Sequence, residues 1–198
     1  MDKPAITNLE IHPNLKKRWS PRSFTHQPVE PDKLQRIFEA ARWAPSSFND
    51  QPWRFVVGRI GTNTWDMIHS TLTEFNQKWA KLAPVLGITI GKIISDKTGK
   101  PNRVYQYDLG QSIAYITFQA TEEELYIHQM GGLDTQKAAE IFNVPEDYKV
   151  LTAFALGYKG EPELLEEDFM KMERSERQRH ELSKIVFEGT FGEAAEFK

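Results

Sequence analysis

The spacing of apolar residues predicts an alternation of amphipathic helices and apolar strands. Between Pro31 and Pro45, apolar side chains recur at the intervals that place them on one helix face. The first proline suits an initial helical turn, and the second ends the helix. The same reasoning predicts further helices over Asn8–Lys17, Thr64–Leu82 with a break near Phe75-Asn76, Tyr105–Leu125, and from a capping Thr135 to Phe142.

Three segments have the composition of β-strands. Trp53–Val57 and Val150–Gly157 are rich in aromatic and β-branched residues. Pro84–Ile94 is mainly apolar, which indicates a central strand. No Gly-x-Gly-x-x-Gly follows the first strand, which disfavours a dinucleotide-binding Rossmann fold. We therefore expect a single domain over residues 1–198, with a core of about 16–160 and a C-terminal extension of about 161–198.

The longest predicted helix, Tyr105–Leu125, is apolar on more than one face. Such a helix is usually buried on two sides, which predicts a core helix that also meets a partner subunit. The main stripe consists of Leu109, Ile113, Ile116 and Ala120, while Tyr115 and Phe118 add apolar surface elsewhere.

Composition and charge narrow the classes of function. The net charge of −3, without a long basic block, argues against nucleic acid as the main partner. No cysteine is present, so thiolate catalysis and Cys-ligated metal sites are excluded, and redox chemistry requires a bound cofactor. The five histidines are scattered, so no metal site is expected. No apolar run approaches ~18 residues and Met1–His12 lacks a signal pattern, so we expect no membrane span and a cytoplasmic location.

Two arginine motifs are candidate anion ligands. Arg18-x-Ser20-x-Arg22 places two guanidiniums and a hydroxyl close together, and Arg177-x-Arg179 lies in the tail. Arginine offers a planar fork for bidentate contact with phosphate. Spacing alone, however, is more typical of a solvated basic turn in the first motif and of a charged helix face in the second.

Two polar loops are candidate contacts for a flat heteroaromatic ring. Ala44–Trp53 contains hydroxyls and amides that can donate to and accept from a ring edge. Met130–Asp134 contains two glycines that permit close approach of the backbone, and we expect Gly131 to use a positive φ. Taken alone, both loops are more typical of ordinary connections whose polar side chains satisfy local backbone groups.

Together and in this order, these motifs resemble the FMN-dependent nitroreductase family. Lys17–Phe24 is similar to its opening Arg-x-Ser-x-Arg-x-Phe pattern, and Ala41–Phe55 matches its next signature nearly throughout. Weaker similarities follow at Phe75-Asn76, Met130–Asp134, Leu156–Tyr158 and Arg179–Leu182, so that the resemblance spans roughly Arg18 to Phe187. The chain departs from the family at Trp19, where others often carry His or Arg, and at Glu122–Tyr126, where many have a Gly-Leu-Gly run.

The resemblance implies an α+β fold with a central, mostly antiparallel sheet flanked by helices. It also implies a homodimer with an exchanged C-terminal tail and two FMN sites at the interface. Arg18, Ser20, Arg22 and Arg179 would hold phosphate and ribityl oxygens, with Arg177 as a weaker candidate and the pyrimidine edge as an alternative for Arg22. Pro45, Ser46, Ser47 and Asn49 would reach the flavin from the partner subunit, and Asn76 would bond the pyrimidine edge. Gly131 and Gly132 would offer N–H groups near the flavin N5, and Trp19 and Met130 complete the expected cofactor-binding set.

The implied activity is ping-pong hydride transfer. NADH or NADPH would reduce the flavin, and a small-molecule acceptor such as a nitroaromatic or a quinone would reoxidise it, without a dedicated catalytic side chain. A flavin enzyme of the same fold with other chemistry, such as reductive dehalogenation or flavin destruction, is an alternative. The alternative from another class is a non-enzymatic α+β protein that associates through the Tyr105–Leu125 helix.

Overall fold

A computed structural model describes residues 2–197, and its centre is a four-stranded antiparallel sheet. The strands are β1 Trp53–Arg59, β2 Val85–Lys92, β3 Tyr126–Met130 and β4 Tyr148–Gly157, in the order β1-β2-β4-β3. The three strands expected from composition are present, and β2 is central and buried from Val85 to Gly91. The expected antiparallel α+β class is therefore confirmed.

Helices cover both faces of this sheet. The helices are α1 Pro13–Lys17, α2 Pro31–Arg42, α3 Asn63–Thr71, α4 Glu74–Ala80, α5 Tyr105–Glu122, α6 Thr135–Ile141 and α7 Glu167–Arg174, with short 3-10 turns at Ser47–Asn49, Pro162–Leu164 and Leu182–Lys184. Within the described chain, α2 and α5 pack on one face, while α3, α4 and α6 pack on the other. None of these helices is both long and apolar enough to cross a lipid bilayer.

A glycine allows the centre of the sheet to pack tightly. Gly87 on β2 lies opposite Phe154 on β4, and the Phe154 ring lies across it. A Cβ at Gly87 would lie 2.2 Å from the ring Cζ, so no other residue fits here without movement. Both strands therefore remain close beneath α5, which forms one wall of the candidate site.

Two expected helix boundaries are wrong, one because of a tertiary contact and the other because of a proline. The break expected near Phe75-Asn76 lies at Leu72-Thr73, because Leu72 leaves the helix to form a β-bridge with Leu133. The helix expected over Asn8–Lys17 begins only at Pro13, where the residue before a proline is biased towards extended backbone.

The remaining differences concern β3 and α6. The sequence does not predict the strand Tyr126–Met130, because its mixed polar and apolar residues form a short edge strand that, among residues 2–197, pairs only with β4. The cap of α6 is Asp134 rather than Thr135, since the Asp134 carboxylate accepts the Lys137 N–H at 2.9 Å. Asp134 thus fixes the helix that follows the Gly131-Gly132 turn.

Candidate functional site

Three of the residues expected to bind phosphate line one cleft. Arg18, Ser20 and Arg179 lie in its wall, although more than 150 positions separate the first and last of them in sequence. The cleft has a volume of about 750 Å³, which is within the usual range of ligand sites. The second half of α5 supplies the rings of Tyr115 and Phe118 to the same wall. The cleft is thus basic at one end and aromatic along one side.

Arg18 is half-buried and lies among like charges, whereas Arg179 is exposed. Burial lowers the pKa of Arg18 from its ordinary value, and the positive charges of Arg177 and Arg179 lower it further. Within residues 2–197, none of these three arginines has a carboxylate oxygen within 4.0 Å. The Arg18 Nη1 lies 3.3 Å from the Ser20 hydroxyl, so both groups face the same space. A half-buried arginine that lies among like charges is suited to bind an anion such as a phosphate.

Helix α1 positions Arg18. The Asn14 side chain donates a hydrogen bond to the Glu122 carboxylate at 2.9 Å, which ties α1 to the end of α5. The backbone N–H of Arg18 then donates to the Asn14 carbonyl at 2.9 Å and ends the helix. Because Arg18 is the C-cap of a helix held against α5, its side chain projects from a fixed point beside the cleft.

Arg22, unlike Arg18, is not part of the cleft wall and lies near β3. Its Nε is buried and has no hydrogen-bond partner within the described residues. The neighbouring Pro21 carbonyl accepts a hydrogen bond from Nδ1 of His128 on β3 at 2.9 Å. Burial, with the Arg22 charge as the second cause, lowers the pKa of His128 to about 4, so the imidazole is neutral at neutral pH. The half-buried Arg22 guanidinium thus lies beside a neutral histidine, and its Nε has no acceptor within residues 2–197.

Asn76 and the turn after β3 form one unit. The Gly132 carbonyl accepts hydrogen bonds from the Asn76 amide at 2.9 Å and from the Thr73 backbone N–H at 3.0 Å. Gly131 is exposed, and its φ is outside the left-handed region, so the expected positive φ there is wrong. The turn follows Gln129, which lines the cleft, by only two residues or about 7 Å of strand.

The polar loop after α2 is held rigidly and projects outward. Ser47 donates its N–H to the Asp108 carboxylate at 3.1 Å, and Lys97 donates to the Phe48 carbonyl. Phe48, Asn49 and Gln51 all have positive φ, which costs energy in non-glycine residues and marks a conformation imposed by its surroundings. Phe48 is 88% exposed.

The loop and the arginine cleft occupy different parts of the chain. Ser47 is anchored at Asp108 in the first turn of α5, whereas the part of α5 that lines the cleft begins at Ala114, six residues further on. Six helical residues correspond to about 9 Å along the axis. Within one chain, the structure therefore brings together Arg18, Ser20 and Arg179, but not the expected loop ligands Pro45, Ser46, Ser47 and Asn49.

Three expected cofactor ligands have other roles in the described chain. Arg177 donates to the backbone carbonyls of Lys3 at 2.6 Å and Lys16 at 3.4 Å, and so fastens the N-terminal segment. The side chains of Trp19 and Met130 are buried in the main core cluster rather than in the cleft wall. Contact between these two residues and a ligand would therefore be limited to their backbone.

The segment Glu122–Tyr126, where the sequence differs from the family pattern, lies outside the cleft wall. Glu122 accepts from Asn14, and Glu123 forms an ion pair with Arg36 at 2.6 Å. Glu124 has a positive φ of 62°, a conformation that glycine adopts more readily, which accounts for the small residues that the family often places here. The acidic run thus closes the turn between α5 and β3 without entering the site.

Several residues of the site were not anticipated from the sequence. Gln129 lines the cleft and was missed because β3 was missed. Glu173 on α7 is buried and accepts hydrogen bonds from the Arg22 and Ser23 backbone, but in the sequence it is one of many acidic residues in a charged tail. Tyr115 and Phe118 were not named as site residues either, although the second apolar face of α5 indicated that they could contact a ligand or a partner.

Comparison with known proteins places this fold and site in a family. The sequence profile of the Nitroreductase family matches residues 15–158, and the chain belongs to that family. An FMN-containing oxidoreductase of known structure is 33% identical, with a TM-score of 0.88 over 95% of this chain and 96% of its own.

Two further relatives are more distant. A structure described as an FMN-dependent nitroreductase from Clostridium difficile R20291 is 27% identical, with a TM-score of 0.62 over 75% of this chain and 87% of its own. A 15.4 kDa protein of Mycolicibacterium smegmatis, described as uncharacterized, is 28% identical over 70% of this chain and 97% of its own length. These comparisons confirm the resemblance inferred from the motifs.

Proposed function

We propose that this chain is an FMN-dependent oxidoreductase that takes hydride from NADH or NADPH and reduces a small aromatic acceptor, such as a nitroaromatic or a quinone. The observation that carries this proposal is the convergence of Arg18, Ser20 and Arg179 on one cleft without a carboxylate partner among residues 2–197. The family, and the FMN named for two of its relatives, supports the same cofactor.

The residues present fit the parts of FMN. Arg18, Ser20 and Arg179 provide two guanidiniums and a hydroxyl for the phosphate. Arg22 lies near β3 with an unpartnered, buried Nε, which favours the pyrimidine edge over the phosphate as its contact. Asn76 and the exposed Gly131 lie at the end of the same strand and extend this polar edge.

We propose that the complete site needs a second copy of the chain. The loop residues Pro45, Ser46, Ser47 and Asn49 do not line the arginine cleft of their own chain, and Pro45 and Asn49 are exposed. The outer face of α5 is apolar and exposed at Tyr107, Ala114, Tyr115 and Phe118, a pattern typical of a surface covered by a partner. A homodimer formed along α5 would bring the loop of one chain to the cleft of the other and bury this face.

When bound, FMN would supply the hydride chemistry, and the protein would supply position and electrostatics. Arg22 and the N–H groups of the Gly131-Gly132 turn would stabilise negative charge that develops at the ring edge. Tyr115 and Phe118 give the cleft a flat apolar wall suited to aromatic molecules. Hydride transfer moves both electrons together and would need no dedicated general base, and the proton that completes reduction of the acceptor would come from solvent.

Anaerobic stopped-flow absorbance of the purified holoprotein tests this proposal. We expect the protein to be yellow, to release FMN on heating, and to lose its flavin absorbance when mixed with NADH or NADPH. Addition of a nitroaromatic or a quinone should then restore the absorbance. A protein that holds FMN but is reduced by neither nicotinamide would contradict the proposed activity, while one that does not bind FMN would contradict the proposed cofactor.

A further inference from the structure

A buried carboxylate from the C-terminal extension holds the backbone of the arginine motif. Glu173, in the last turn of α7, is 2% exposed. Its two oxygens accept the N–H of Arg22 at 2.9 and 3.1 Å, and Oε1 also accepts the N–H of Ser23 at 3.2 Å. Adjacent N–H groups that converge on one anion form a short, directional clamp.

Further hydrogen bonds fix the residue next to Arg22. The Ser23 hydroxyl donates to the Glu161 carbonyl at 2.6 Å, and the Ser23 carbonyl accepts the Gly160 N–H at 2.9 Å. These bonds tie Ser23 to the segment that follows β4. Within residues 2–197, the backbone N–H of Arg22 is bonded only to Glu173. The direction in which the Arg22 side chain leaves the backbone therefore depends on Glu173.

Burial of the Glu173 carboxylate costs free energy, which its hydrogen bonds to backbone N–H groups must offset. Within the described chain no cationic nitrogen lies within 4.0 Å of it, although the charges of Lys3 and Arg22 are close enough to interact with it. Replacement of an unpaired buried carboxylate by an apolar side chain would relieve its desolvation but leave two buried N–H groups without an acceptor. A carboxylate at position 173 is therefore explained by its ability to fix the Arg22 backbone.

We propose that Glu173 is a positioning residue of the flavin site, which acts through Arg22 and not by contact with the ligand. This inference rests on the proposed flavin site. It links the tail to the site, because the same segment carries Glu173, which orients Arg22, and Arg179, which lines the cleft. Arg18 provides an internal control, since its N–H is held by Asn14 and not by Glu173.

A double-mutant cycle on FMN affinity tests this role in the full-length protein. In Glu173→Gln one oxygen becomes an NH2 donor that faces the Arg22 N–H donor, so the clamp is disturbed with little change of shape. We expect the Kd for FMN, measured by quenching of flavin fluorescence on the apoprotein, to rise about tenfold. In an Arg22→Ala background the same change should raise it less than about twofold, whereas in an Arg18→Ala background the tenfold effect should persist. Glu167→Gln, on the exposed side of α7, is the matched control and should leave the Kd unchanged.

The outcomes separate this inference from the proposed function. Equal effects of Glu173→Gln in the Arg22→Ala and Arg18→Ala backgrounds, or no effect in an otherwise wild-type protein that binds FMN, would overturn the positioning role. Failure of the wild-type protein to bind FMN would instead overturn the proposed function, and the inference with it. If Glu173→Gln does not fold, amide hydrogen exchange of the wild-type apoprotein decides: the Arg22 amide should be protected, and exchange as fast as in an exposed loop contradicts the clamp.

Discussion

The Asn76 side-chain amide donates a hydrogen bond to the Gly132 carbonyl at 2.9 Å and also occupies the space where a side chain at position 132 would begin. A Cβ at Gly132 would lie 2.6 Å from the Asn76 Nδ2 and 2.9 Å from the Thr73 hydroxyl. Two residues that the sequence marks separately as flavin contacts thus support each other. Glycine is required at 132 for this contact, whereas a Cβ at Gly131 would meet no atom within 4 Å.

Gly132→Ala should therefore be much more harmful than Gly131→Ala. The new methyl group must displace Asn76 or Thr73, and overpacking of this kind costs about 1–3 kcal/mol of unfolding free energy. Gly131→Ala, the matched control one residue away, should change it by less than about 0.5 kcal/mol. Urea denaturation of both variants measures the difference. Similar stabilities for the two would show that the Asn76 contact does not constrain the turn.

Arg18→Ala should weaken FMN but not riboflavin. The substitution removes a charge-assisted contact to the phosphate, worth about 1.5–3 kcal/mol, or about a ten- to hundredfold loss of affinity. Riboflavin lacks the phosphate, so its affinity should be nearly unchanged. Isothermal titration of the apoprotein with both ligands measures this, with Arg59→Ala at the exposed end of β1 as the control. Equal losses for the two ligands would place Arg18 away from the phosphate.

His128 should make the fold less stable in mild acid. Its pKa is lowered from 6.5 to about 4 by burial and by Arg22, so the unfolded chain binds a proton that the folded chain does not. This contribution is complete above the unfolded value and is lost as pH falls from 6.5 towards 4, by up to about 3 kcal/mol. His128→Gln should therefore lose less stability over this interval than the wild type, while His180→Gln, at an exposed position, should follow the wild type. Parallel curves of unfolding free energy for His128→Gln and wild type would refute the assignment.

Gly110→Arg tests the interface along α5. A Cβ at this exposed helical position meets no atom within 4 Å in the single chain, and replacement of glycine inside a helix is favourable by up to about 1 kcal/mol. The variant should therefore fold as a monomer, yet a large cation in the middle of an apolar interface should prevent dimerisation. Gly110→Ala gains the same helical preference without the bulk and should remain dimeric. Sedimentation velocity at micromolar concentration distinguishes them, and a dimeric Gly110→Arg would place the interface elsewhere.

The sequence was sufficient for the central architecture because that architecture depends on repeated apolar patterns. The uniform apolar run of β2 and the periodic stripe of α5 reflect burial on both faces of the sheet, and both are present as expected. β3 carries no such pattern, since an edge strand with a partly exposed His128 and an exposed Gln129 needs neither continuous burial nor strict alternation.

The candidate site was predictable only where a motif is contiguous. Arg18 and Ser20 are two residues apart, so their joint presence at the cleft follows from local geometry. The resemblance makes Arg177 a weaker candidate than Arg179, and the fold directs Arg177 to the carbonyls of Lys3 and Lys16 and leaves Arg179 at the cleft. That choice depends on contacts over more than 150 residues, which the local sequence does not contain.

The proposal that each flavin site combines the cleft of one chain with the loop of its partner is tested most directly by mixing two defective variants. Arg18→Ala damages the cleft, while Asn49→Gly removes a loop side chain and keeps the backbone free to adopt the positive φ of 56°. A mixed dimer of the two would contain one site with both defects and one intact site. After the subunits are exchanged, we expect tight FMN binding to appear at about a quarter of all sites, although neither variant alone has it. Full absence of tight binding in a verified mixed dimer would contradict the account, because sites built within one chain would each retain a defect.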